Sequence, residues 1–104
     1  MSIKIVQDDT RPPLEFNLTQ DGSPVDLTGS TVRFYMKDAT TGTVKINGST
    51  CTITDAPKGK CTYLWQASDT NTAGGYVGEV EVTFPDGKIQ TGYKQVSITI
   101  RADI

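Results

Sequence analysis

The sequence predicts an all-β chain, a sandwich or small barrel of about seven to nine short strands. Three observations carry this prediction. Apolar and polar residues alternate in run after run, the two-residue period of a half-buried strand. Turn formers break those runs at short intervals, with 10 glycines and 5 prolines in 104 residues. Long runs of Ala, Leu, Glu and Lys, which would favour helix, are missing. A chain of this length buries roughly two-thirds of its unfolded surface as one unit. Residues 1–104 are accordingly read as a single sandwich domain.

Ile3 and Ile5 flank Lys4 in a short first strand. Gln7 to Pro13 follows as an extended connector, because Pro12 and Pro13 cannot donate to a β-ladder. Residues 1–13 thus form an N-terminal strand and arm, and residues 14–101 the sandwich core. Leu14, Phe16 and Leu18 alternate with Glu15, Asn17 and Thr19, as expected of a strand with one wet face. Asp21 to Pro24 is a turn, Val25 and Leu27 reach toward the core, and Thr28-Gly29 turns again. Val32, Phe34 and Met36 then oppose Arg33, Tyr35 and Lys37.

Asn47-Gly48 between Val44–Ile46 and Ser49–Cys51 predicts a two-residue hairpin loop, with Val44 facing Cys51 and Ile53 continuing that face. Asp55 to Gly59 reverses the chain into a strand that turns Cys61, Tyr63 and Trp65 to one side. Asp69 to Gly75 is a corner of small, turn-forming residues. Tyr76, Gly78, Val80, Val82 and Phe84 resume on one face, Val77, Glu79, Glu81 and Thr83 on the other. Pro85-Asp86-Gly87 supplies a compact reversal, with Lys88 to Thr91 as the returning hairpin partner. Val96, Ile98 and Ile100 form a final alternating strand.

Composition narrows the function. The net charge is −2 with both signs dispersed, and no basic stripe of the kind that neutralises phosphates is present, so no nucleic-acid partner is expected. No apolar run is long enough for a membrane-spanning helix, and no basic-then-apolar leader opens the chain, which predicts synthesis in the cytoplasm without membrane insertion. Histidine is absent, which removes Ser-His and Cys-His nucleophile pairs and the commonest transition-metal ligand. Cys51 and Cys61 are both predicted inward, either as free core thiols or as a cross-strand disulfide.

Asp69, small residues and then Tyr76 opening a strand resemble the tyrosine corner of immunoglobulin-like sandwiches, where the phenol bonds nearby backbone. An antibody domain would place a cysteine at Gly78, so an antibody-type domain is not expected. Asp69 and Asn71 with Asp8 or Asp9 offer oxygen ligands for calcium, but short Asx side chains in turns usually bond local backbone. Glu79 and Glu81 form a carboxylate pair on one strand face, whereas glycosidases set theirs on opposite sides of a cleft. Exposed, Trp65 or Tyr35 would offer a sugar-stacking platform; the parity of Trp65 with Tyr63 and Cys61 places it in the core instead. No catalytic residue, cofactor or metal site is predicted.

The chain resembles the immunoglobulin-like N-terminal domain of phage baseplate upper proteins. The similarity lies in Asp9-Thr-Arg11-Pro12-Pro13-Leu-Glu-Phe16, in Pro24-Val-Asp-Leu-Thr-Gly29, and in the strand Thr31 to Lys37. It continues in Gly59, Tyr63 and Trp65, in Asp69, Thr70 and Gly74, in Tyr76 and Glu79, and in Pro85 to Lys88. The resemblance implies an immunoglobulin-like antiparallel sandwich and a structural, non-enzymatic virion component of the phage tail or baseplate. It implies docking to other tail proteins, help in positioning receptor-binding proteins, and a copy number set by the ring or trimer joined. Tyr63, Trp65, Asp69, Thr70, Gly74, Tyr76, Pro85, Asp86 and Gly87 are the expected fold-determining motif. Asp9, Arg11, Pro12 and Pro13 are the candidate docking arm. A carbohydrate-binding or host-surface adhesion module and a capsid decoration protein are the alternatives on the same fold.

Overall fold

A computed structural model describes residues 2–104, with the side chains of 92–94 outside that description; Met1, the first residue of the predicted 1–13 segment, also lies outside it. All regular structure in the described residues is strand. The strands are β1 (Ser2–Val6), β2 (Leu14–Asn17), β3 (Thr19–Gln20), β4 (Ser23–Pro24), β5 (Thr31–Asp38), β6 (Val44–Thr50), β7 (Thr52–Asp55), β8 (Lys60–Tyr63), β9 (Gly74–Thr83) and β10 (Ile89–Arg101). A five-stranded sheet runs β1-β10-β9-β5-β6, a three-stranded sheet β2-β8-β7, and β3 and β4 form a small ribbon. The protein is an all-β sandwich. Its pairs are antiparallel except one: β1 lies parallel to β10, Ser2 opposite Ser97 and Val6 opposite Arg101.

The core sits between the sheets and follows the alternation. Val32, Phe34 and Met36 of β5, Val80 and Val82 of β9, and Val96, Ile98 and Ile100 of β10 are buried from one sheet. Leu14, Phe16, Cys61 and Tyr63 meet them from the other. Phe34 is the hub, its ring centroid 5.8 Å from that of Phe16, 4.8 Å from Tyr63 and 6.3 Å from Trp65. Such tilted and edge-on contacts add stabilisation beyond area burial. Gly78 makes room for this ring: a Cβ there would stand 2.7 Å from Phe34 Cζ. The space that a side chain would take at Gly78 is therefore filled by an aromatic edge.

Four expectations need correction. The predicted Asn47-Gly48 hairpin is not a turn; β6 runs straight through it, paired with β5, and Gly48 (φ 78°) is an extra residue between the pairs Phe34–Ser49 and Tyr35–Asn47. A bulge and a tight hairpin both use glycine at positive φ, so the local signal is the same. What decides is Tyr35, whose ring lies over Gly48 and would stand within 3.2 Å of any Cβ there. Val44 consequently does not face Cys51: it is 58% exposed on the edge strand, whereas Cys51 is 5% exposed. Next, Ile89–Thr91 pair back on β9 as the expected hairpin partner, but they and the Val96 strand are one strand, β10, whose register shifts between Thr91 and Gln95. Finally, residues 7–13 are not a simple extended connector but open with a turn in which Asp9 N–H donates to the Val6 carbonyl at 3.0 Å.

Cys51 marks a corner. It follows β6 in one sheet and precedes β7 in the other, with no loop between, and its N–H donates to the Val32 carbonyl at 2.8 Å. One run of chain thereby belongs to both layers, as in sandwiches whose strands switch sheets.

Candidate functional site

The corner after β8 carries the densest polar chemistry of the buried interior. Tyr63 is 1% exposed, and a buried phenol needs a hydrogen-bond partner. Tyr63 Oη donates to Asp69 Oδ2, which also accepts the Gln66 N–H at 2.8 Å. Burial, then the bond to the Asp69 carboxylate, pushes the Tyr63 phenol well above its ordinary range. Tyr76 Oη donates to the Thr72 carbonyl at 2.8 Å, and burial pushes this phenol up as well. The Tyr63–Asp69 bond went unforeseen. Its signal was available: a tyrosine of inward parity with a carboxylate six residues on, across a tight corner.

The same corner holds the N-terminal arm. Thr70, fully buried, donates from Oγ1 to the Asp9 carbonyl at 2.7 Å, and its own carbonyl accepts the Asp8 N–H at 3.0 Å. Gln7 Nε2 donates to the Asn71 carbonyl at 2.8 Å. Asp8 adopts φ 70°, a conformation that aspartate tolerates better than most residues, which lets the chain hook back. The expected fold-determining Thr70 and the expected docking residue Asp9 are thus bonded to each other. The arm is strapped to the sandwich.

Beneath the strap lies a cavity of about 450 Å³ lined by Lys4, Val6, Asp9, Arg11, Pro12 and Arg101 among others. A second space of about 210 Å³ continues past Pro12 to Pro13 and Glu15. Three cationic side chains face the first cavity with one carboxylate among them, in a chain whose net charge is −2. The elements that position them are β1, the end of β10 and the strapped arm.

The family described as the BppU N-terminal domain matches residues 2–104. The chain belongs to that family. BppU is the baseplate upper protein, so this is a structural protein of the phage baseplate, a virion component that interacts with other phage tail proteins. No curated protein sequence matches the chain. Among solved structures it is similar to CopC from Methylosinus trichosporium OB3b, with 17% identity, a TM-score of 0.56, and 99% of this chain and 86% of that one covered. At that identity the likeness concerns the fold alone.

The residues expected as motif and docking arm are spread over both ends of the sandwich. Asp9 and Thr70 meet, while Arg11, Pro12 and Pro13 line the two spaces beside β1. Trp65 lies 4% exposed beyond the end of β8, edge-on to Tyr63 at 5.6 Å, with its indole N–H unpartnered. Gly74 opens β9 at φ 145°. Pro85, Asp86 and Gly87 close the β9–β10 hairpin, with Asp86 Oδ1 accepting the Lys88 N–H at 2.9 Å and the Gly87 N–H donating to the Phe84 carbonyl at the same distance.

The remaining candidates stay apart. Asp69, the centre of the calcium reading, is taken up by Tyr63 and Gln66, and no group of three or more potential metal ligands occurs among the described residues. Glu79 and Glu81 share the outer face of β9, opposite Tyr35 and Arg33 of β5. Both are half-buried, and Tyr35 Oη lies 3.4 Å from Glu81 Oε1. Cys51 and Cys61 are free and buried, their thiols pushed up to about 12 and about 11 by burial, with charge repulsion between the two adding to Cys51.

Proposed function

We propose that this chain is a non-enzymatic docking module that joins baseplate proteins and helps to position receptor-binding proteins. In this reading residues 1–104 form one immunoglobulin-like sandwich, with residues 14–101 as its core and residues 1–13 as the docking arm. It is made in the bacterial cytoplasm and joins the particle in a copy number set by the ring or trimer it meets. The observation that carries the reading is the family match across residues 2–104. A rigid scaffold presenting ordered loops is what such a role requires, since fixed contacts lose little freedom on binding. The strapped segment of Asp9, Arg11, Pro12 and Pro13 has that character.

The carbohydrate-binding alternative calls for an exposed aromatic platform. Trp65 is in the core, and Tyr35 is half-buried over Gly48, which speaks against it. Immunogold labelling of intact phage particles with an antibody to this chain tests the proposal. Gold at the tail tip is expected. Gold on the head would mean a decoration role, and absence of label would overturn the virion assignment.

A further inference from the structure

We infer that the open edge of β1 receives an extended, acidic segment of a neighbouring baseplate protein as an added strand. This rests on the docking reading above and names the contact. β1 is the outermost strand of its sheet, with β10 on one side only. In a parallel pair, alternate residues direct both peptide groups to the partner. Gln7 N–H donates to the Arg101 carbonyl at 2.7 Å, so Ile3, Ile5 and Gln7 face β10 and Lys4 and Val6 turn outward. The Val6 carbonyl is occupied by Asp9 N–H. Lys4 is left presenting both its N–H and its carbonyl at the edge.

The space beside that edge is already shaped. The larger cavity is lined by Lys4, Ile5 and Val6 of β1, by Thr99 and Arg101, the β10 partners of Lys4 and Val6, and by Asp9, Arg11 and Pro12 of the arm. It therefore spans the outer face of the β1–β10 pair and reaches the edge of β1 where the arm flanks it. The smaller one shares Lys4, Ile5 and Pro12 with it, and the two follow β1 along its length. A bare edge is normally blunted by charge or covered. Here the arm stands off and leaves a groove.

Charge selects the occupant. Lys4, Arg11 and Arg101 converge on the groove, and no ion pair to any of them occurs among the described residues. An added strand places every second side chain on one face, so alternating carboxylates would meet these cations while main-chain bonds form to Lys4. Asp9 on the rim disfavours a polyphosphate, and the rest of this acidic chain offers no basic track to extend one.

The test is titration of the full chain, followed by amide NMR, with a blocked peptide of alternating threonine and glutamate and with its threonine–lysine counterpart. The glutamate peptide is expected to shift amides of residues 2–6, 11 and 99–101 and to give proton contacts to the Lys4 backbone. Its affinity should fall with added salt, and by at least about tenfold in R11E/R101E, whose exposed positions leave the fold intact. Shifts elsewhere, equal binding of the lysine peptide, or no binding would overturn the inference. The particle labelling described above is independent of that result, so the groove can fail while the baseplate role stands.

Discussion

Replacing Asp69 with alanine tests whether the corner is held by its carboxylate. Asp69 is 8% exposed and accepts from the Tyr63 phenol, itself 1% exposed, and from the Gln66 N–H. Removing the carboxylate strands both donors. An unsatisfied buried donor costs about 1–3 kcal/mol. The Gln66 bond is only part-buried, so water partly replaces it, and the expected net loss is about 2–4 kcal/mol. Asp69→Asn keeps one acceptor oxygen and should lose less, about 1 kcal/mol. Urea unfolding at neutral pH gives these values from a shifted midpoint at unchanged slope. Tyr63→Phe completes a double-mutant cycle, with an expected coupling of about 1–2 kcal/mol. A loss below about 0.5 kcal/mol in Asp69→Ala, the range of ordinary surface changes, would refute the reasoning.

Thr70→Val removes the hydroxyl that bonds the Asp9 carbonyl; a loss of about 1 kcal/mol is expected, with faster hydrogen exchange at Asp8 and Asp9 while β9 stays protected. Unchanged exchange there would show that the strap does not depend on it. Tyr76→Phe should cost about 0.5–1.5 kcal/mol through the lost bond to Thr72, and wild-type melting with lost partner binding would reassign Tyr76 to an interface. Gly78→Ala forces a methyl against Phe34 and Val96, at 2.7 and 3.0 Å, and should destabilise by about 1–3 kcal/mol; a higher melting temperature would contradict the packing. The buried thiols should resist thiol reagents in the native state and react on unfolding. Their pKa values are raised from 9.0, so the native chain keeps protons that the unfolded chain releases. Their contribution is whole below about pH 9 and is lost as pH rises toward 11–12, and stability should fall less steeply in Cys51→Ala/Cys61→Ala.

What could be read from the residues was whatever a short window decides. The alternation of Val32, Phe34 and Met36 placed them inside, and parity alone put Trp65 in the core although the strand ends at Tyr63. The Pro85–Gly87 reversal needed only its own residues. What escaped is decided across the fold. Asn47-Gly48 satisfies a hairpin and a bulge equally, and only the Tyr35 ring from β5 distinguishes them. The parallel pairing of β1 and β10 joins the two ends of the sequence, which no local period encodes. The cationic groove is hidden for the same reason: Arg101 is distant in sequence from Lys4 and Arg11, and the β1–β10 pairing brings it to them. A family pattern marks Asp9, Arg11, Pro12 and Pro13, whereas the bond from Thr70 to the Asp9 carbonyl depends on the corner's three-dimensional course.

The parallel β1–β10 pair also fixes how the molecule carries force. Ser2 sits beside Ser97 and Val6 beside Arg101, so the two strands enter and leave at opposite ends of their shared ladder. Tension applied through the chain on either side of this stretch draws β1 and β10 past each other lengthwise. Every hydrogen bond between them is then strained together, whereas a hairpin pulled from its open end would release them one by one. A particle component built this way resists stretching along its chain axis more than peeling at its edges.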